Sequence, residues 1–246
     1  MTFRRRVKLA IAKAIGLDPT HSQAHYARFL SDHARDGVRW LELGCGRHIL
    51  PPHGMPMEEQ RKMAARASFL AGIDTDQAIR DHELLAARVY GLGGQLPFRE
   101  ESFDLVTCNM VVEHFPDPER ILPDIRRVLK PGGRFLFHTP NFRYYLIYIA
   151  SLSPEFLKSW LVRLLEQRHE QDRFQTFYRM NTVRDIERLA RESGFEVEKM
   201  VVCGSNGSFE RVWLLGWLEC FVLRALDGIR GGAHRPNLIA ALRRRD

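Results

Sequence analysis

The sequence predicts a three-layer α/β sandwich, a mostly parallel sheet of seven strands with helices on both faces. Three observations predict it. From residue 38 onward, apolar runs of strand length alternate with segments of helical period, as in a parallel sheet whose crossovers cover both faces. The first run, "VRWLELGCGRH" (Val38 to His48), stops at an acid and breaks into two glycines one residue apart. That is how a buried strand hands over to a loop at the ligand-binding edge of such a sheet. The third is composition: 246 residues, 45% hydrophobic and 27% charged, suit one globular domain spanning residues 1 to 246 with a sizeable core.

Residues 1 to 36 read as N-terminal helices. The first is amphipathic, because Lys8 and Lys13 interrupt its apolar stretch and no secretory cleavage pattern follows. Strands are expected at Val38 to Leu43, Phe69 to Asp74, Arg88 to Tyr90, Phe103 to Cys108, Arg134 to Thr139, Phe195 to Cys203 and Asn237 to Leu242. In "DIRRVLKPGGRFLFHTPN", Pro131 and the Gly132-Gly133 pair end a helix and turn the chain into a strand. "NTVRDIERLARESGF" has the clearest helix grammar: Asn181 or Thr182 as cap, Ile186, Leu189 and Ala190 on one face, and Gly194 as the stop. Between the fifth strand and this helix, residues 141 to 182 are too many for a simple connection and read as a lid-like insertion rich in aromatic and cationic side chains.

The formal charge is +7, but the arginines are scattered and cluster only at Arg4 to Lys8 and Arg243 to Arg245. A solvated basic surface accounts for them better than a polyanion groove, which weighs against nucleic acid as a partner. The four cysteines form no C-x-x-C pair. Neither a metal site nor a disulfide framework is indicated, and a reducing cytoplasm fits. The apolar segment Val212 to Leu226 is shorter than the ~20 residues of a membrane span and carries Glu219 and Arg224. With Trp213 and Trp217 it allows a peripheral contact at the inner face of a membrane, and packing on the sheet is the alternative.

A dinucleotide turn would need Gly or Ala at position 49, which is Ile49. The second strand ends in Asp74, whose two oxygens match the vicinal hydroxyls of a ribose. The residues therefore point to a nucleoside without a pyrophosphate.

"VRWLELGCG", "LAGIDTD", "LPFREESFDLV", "VVEHFPDPERILPDIRRVLKPGGRFLFHTPN" and "RESGFEVEKM" follow one another in an order that resembles class I S-adenosylmethionine-dependent methyltransferases, of the type 11-like kind, over residues 37 to 203. The resemblance implies a Rossmann-like sandwich with an antiparallel C-terminal strand and S-adenosyl-L-methionine as cofactor. It implies that Glu42, Gly44, Cys45 and Gly46 line the methionine and ribose part of the cofactor and that Asp74, followed by Thr75, holds the ribose. Gln95, Leu96 and Asn109 complete the cofactor site. Two departures stand out. Where the family commonly meets the adenine amino group with an acid, this chain has Leu92, which leaves backbone groups, Gly93, Gly94 or Gln95. The loop after Gly46 is long and proline-rich, and it carries His48 and His53.

The implied chemistry is in-line displacement at the methyl carbon, in which the protein aligns the partners and excludes water. A base is needed only where the nucleophile loses a proton. His114 is the candidate, against a structural reading for both it and Glu113. The fourth strand lacks an N-P-P-Y type sequence, which disfavours methylation of nucleobase amines. The expected activity is O-methylation of a small molecule, such as a sugar or lipid-linked acceptor, with Tyr144, Tyr145, Tyr178 and Arg179 on the substrate. The alternatives are a nucleic-acid methyltransferase and an idle cofactor-binding scaffold.

Overall fold

Strand β1 (Arg39–Leu43) lies at the heart of the sheet because Trp40, Leu41 and Leu43 remove nearly all their apolar surface from water. It pairs in parallel with β2 (Phe69–Asp74) on one side and β4 (Phe103–Asn109) on the other; β3 (Ala87–Tyr90) adds to β2 and β5 (Leu129–Pro140) to β4. β6 (Phe195–Cys203) and the antiparallel β7 (Asn237–Arg244) complete the order β3-β2-β1-β4-β5-β7-β6. Among the described residues the complete helices are α1 (Ser22–His33), α2 (Met57–Ala64), α3 (Pro118–Val128) and α4 (Val183–Glu192), with 3-10 turns at Gln77–Asp81 and Val112–His114. This computed structural model describes residues 20–91, 95–144, 174–204, 225 and 235–246. Residues 1 to 19 of the expected N-terminal helices, Tyr145, most of the aromatic insertion and nearly all of Val212 to Leu226 lie outside the described residues. Among the described residues no helix is long and apolar enough to cross a membrane.

Helix α4 forms as its sequence dictates. Thr182 caps it by accepting the Asp185 N–H at 3.1 Å, Ile186, Leu189 and Ala190 are buried, and Gly194 leaves it at φ +75°. The start of β5 differs from expectation. It begins at Leu129, not Arg134, because α3 already ends at Val128 and Leu129 pairs with Phe103. The Pro131–Gly133 stretch is an irregularity inside the strand: the register jumps from Phe103 opposite Leu129 to Leu105 opposite Arg134. Gly132 takes φ +70° there, and a Cβ on Gly133 would stand 2.8 Å from the Lys130 carbonyl oxygen. β7 runs two residues past its expected end at Leu242. Arg244 holds it there by donating to the carbonyls of Leu129 and Arg126 and to Glu101.

The long loop after Gly46 is a packed plug. Ile49, Leu50 and Met55 are buried, and the fully buried Gln60 of α2 accepts the Leu50 N–H and donates to the Leu50 and Met55 carbonyls. His48 and His53 are exposed on it.

The chain divides into two compact units, one of Met1–Ser22, Asn141–Gln175 and Val202–Asn237, the other of Gln23–Pro140, Thr176–Val201 and Leu238–Asp246. In the first, Asn141 ties down the segment before β7, its backbone N–H donating to Pro236 and its side chain to Arg235. The second contains the carboxyl ends of β1 to β5.

Candidate active site

The turn after β1 needs both its glycines, for different reasons. Gly44 sits at φ +66°, and a Cβ there would lie 2.3 Å from Val111 Cγ2, so the turn following β4 occupies the space. Gly46 sits at φ +48° with nothing within 4 Å of where its Cβ would be. Its N–H points sideways and donates to Asp74 Oδ2 at 2.6 Å, while Asp74 Oδ1 accepts the Asp76 N–H at 2.7 Å. The Asp74 carboxylate is thus fixed by two backbone donors, and each oxygen keeps a further lone pair for a ligand hydroxyl. Thr75 beside it is exposed. The Cys45 side chain packs inward: a Cβ on Gly72 would meet its sulfur at 2.6 Å, and burial pushes the thiol pKa up.

Glu42 is fully buried between Gly72 and Thr107. The Thr107 hydroxyl donates to its Oε2, and Oε1 has no hydrogen-bond partner among the described residues. Burial pushes its carboxyl up to about 8, against the opposing pull of Thr107 and Trp40. A cation arriving nearby would favour the ionised form.

Beyond β4 the chain passes Met110 at φ +58° and enters the turn that carries His114, which is half-buried. Glu113 is a fastening point. Its carboxylate accepts from the Thr139 hydroxyl at 3.0 Å, Thr139 in turn accepts from Asn181, and its carbonyl accepts the N–H groups of Phe177 and Tyr178. Asn109 donates to Gln23 Oε1 at 3.1 Å and faces His138 Nδ1 at 2.9 Å, and His138 stacks on Tyr26 of α1. Gln23, Tyr26 and His138 were not identified from the sequence. The one signal available was a histidine interrupting the apolar run "FLFHTPN".

Leu96 is directed toward α3: its N–H donates to Asp124 and its carbonyl accepts from Arg127. Gln95 is exposed, and residues 92 to 94 lie outside the described residues. Tyr178 and Arg179 come together in a pocket of about 320 Å³, whose wall includes Pro118, Glu119 and Arg188. Tyr178 adopts φ +52°, a rare conformation for a bulky residue, held by its bond to Glu113. Tyr144 is buried in the other unit.

A fixed carboxylate, an open glycine turn and an orphaned buried acid oxygen at one sheet edge fit a nucleoside carrying a cationic group. A family model described as a methyltransferase domain matches residues 18–200. The chain belongs to this family. Its fold is that of the class I S-adenosylmethionine-dependent methyltransferases, and S-adenosylmethionine is the cofactor of that class. A ubiquinone biosynthesis O-methyltransferase from Hahella chejuensis is 33% identical over 143 residues, covering 53% of this chain and 55% of the relative. The chain thus spans about half the length of that curated methyltransferase. A SAM-dependent methyltransferase from Methanosarcina mazei superposes with TM-score 0.56 at 17% identity, over 88% of this chain and 97% of the other. A cyclase, SpnF, superposes with TM-score 0.51 at 16% identity over 90% and 80%. The methyltransferase fold therefore carries more than one chemistry, and the reaction must be argued from the site.

Proposed function

We propose that this chain transfers the methyl group of S-adenosylmethionine to a hydroxyl oxygen of a small molecule. The observation that carries the reading is the pairing of the Asp74 carboxylate with the open Gly46 turn at the edge of β1 and β2. The relative named as an O-methyltransferase supports oxygen as the acceptor atom. In the reaction, a lone pair of the acceptor oxygen forms a bond to the methyl carbon while the carbon–sulfur pair returns to sulfur; the hydroxyl proton passes to a base. His114, on the turn after β4, is the proposed base. Tyr178 and Arg179 are the proposed acceptor contacts, and Arg179 suits an acceptor bearing a carboxylate or phosphate. Binding needs no metal in this reading, and the enzyme works in the cytoplasm.

The test is calorimetric titration of the full chain with S-adenosylhomocysteine, followed by incubation with methyl-labelled cofactor and a panel of hydroxylated, amino and carbon acceptors. Label transferred to hydroxyl compounds, and reduced by His114→Gln with cofactor affinity unchanged, is the expected result. Tight binding with label appearing only on nitrogen or carbon acceptors, or on none, overturns the proposal.

A further inference from the structure

We propose that Tyr90 is the platform on which the cofactor's adenine rests, so that this protein reads the base by its face and not by its amino edge. The inference begins with direction. With the glycine turn on β1 at the methionine end and Asp74 on β2 at the ribose, the remaining part of the ligand continues toward the next strand in the sheet, β3. The last residue of β3 is Tyr90, which pairs in register with Asp74. In-register residues of parallel neighbours project to the same face, about 4.8 Å apart. The base is joined to the ribose by a single bond, so an aromatic ring one strand over lies within its reach.

The state of Tyr90 agrees with this assignment. At 57% exposure it is, with Phe174, one of two large hydrophobic side chains exposed among the described residues. It has no hydrogen-bond, ring or ion-pair partner among them, so no contact with the described residues accounts for an aromatic residue at the strand tip. Gly91 follows at φ +131°, its N–H donating to the Asp74 carbonyl oxygen at 2.8 Å, with nothing within 4 Å of where a Cβ would be. The chain therefore turns tightly against the strand that carries Asp74, directly after the Tyr90 ring. The following residue, Leu92, has no polar group with which to meet an amine. Aromatic rings hold bases by stacking on the π-face, which every base has, and stacking tolerates changes at the base edge.

The experiment titrates the full chain calorimetrically with S-adenosylhomocysteine and with S-inosylhomocysteine, in which an oxo group replaces the exocyclic amine. The expected result is that the two bind within about three-fold of each other, and that Tyr90→Ala weakens both by about ten-fold or more, in the range for loss of one stacked base. Tyr90→Phe keeps the ring and keeps the affinity. Because Tyr90 is exposed, melting temperature and circular dichroism of the variants should match wild type, which separates loss of contact from loss of fold. Unchanged affinity in Tyr90→Ala overturns the proposal and leaves Tyr90 a solvated surface ring. So does a wild type that prefers the adenosyl ligand by more than about ten-fold, since the edge is then being read. A folded wild type that binds neither ligand removes the family cofactor itself, and this proposal with it.

Discussion

The neighbouring strands β1 and β2 each carry a buried acid near their carboxyl ends, and the two are built in opposite ways. Asp74 is met by two backbone N–H groups, from Gly46 and Asp76, so the chain itself fixes both of its oxygens. Glu42 is met by one hydroxyl, and its second oxygen is orphaned. The two acids thus differ in kind: backbone donors make Asp74 a fixed acceptor, whereas desolvation pushes the Glu42 carboxyl up to about 8. Fixed geometry at one tip and an adjustable charge at the other suit the two ends of a ligand, a neutral diol and a cation.

The largest effect expected from breaking this arrangement is at Gly44. Gly44→Ala adds a left-handed penalty of ~1–2 kcal/mol to overpacking of ~1–3 kcal/mol against Val111, and chemical denaturation should show a loss of that combined size. Gly46→Ala meets no atom, so its stability loss should stay within the left-handed term while S-adenosylhomocysteine affinity falls by more than in any comparably stable variant. Asp74→Asn comes next. It keeps one acceptor oxygen but sets an amide against a backbone N–H, costing about 1–3 kcal/mol in denaturation and most of the cofactor affinity.

The smallest effect is the most specific to Glu42. Its carboxyl pKa is raised in the folded chain, so the folded state holds the proton more tightly than the unfolded state, and stability falls as pH rises toward about 8. His82 works in the other direction. It is buried and pushed down to about 4 by desolvation, with His48 and Arg88 adding to the shift, so its contribution is lost as pH falls from the ordinary histidine range toward 4. The two slopes oppose each other below about pH 6.5, and only that of Glu42 acts above it. Melting of wild type should therefore be nearly flat below 6.5 and decline above it by at most ~1.4 kcal/mol per pH unit. Glu42→Gln should remove the upper decline and expose an acid-side loss; an unchanged upper decline would assign it to another group.

Much of this was legible because it is local. β2 and β6 fall where their apolar runs predict, and α4 obeys its cap, face and stop. The "ELGCG" turn and Asp74 announce themselves by a composition that only a strand tip requires. The start of β5 was misread because Pro-Gly-Gly usually breaks a strand, and here the break is accommodated inside one by a jump in register against β4. Gln60 was invisible because its value lies in three bonds to a loop without periodicity. The Gln23–Asn109–His138 chain joins residues 86 and 29 positions apart, and no local pattern encodes such a meeting. The reason for Gly44 was hidden in the same way, since the obstructing Val111 belongs to another turn.

The place of β7 has a consequence in time. It is the last strand in the sequence, yet it lies between β5 and β6. On a ribosome, β1 to β5 can zip together as they emerge, but β6 has no neighbour to join until residues 237–244 exist. Until then one flank of the sheet offers bare backbone edges, on β5 and on β6, to any other chain within reach. A nascent or truncated chain lacking those eight residues would thus be the form most in need of a chaperone, and Arg244, which fastens to Leu129, Arg126 and Glu101, acts as the final latch.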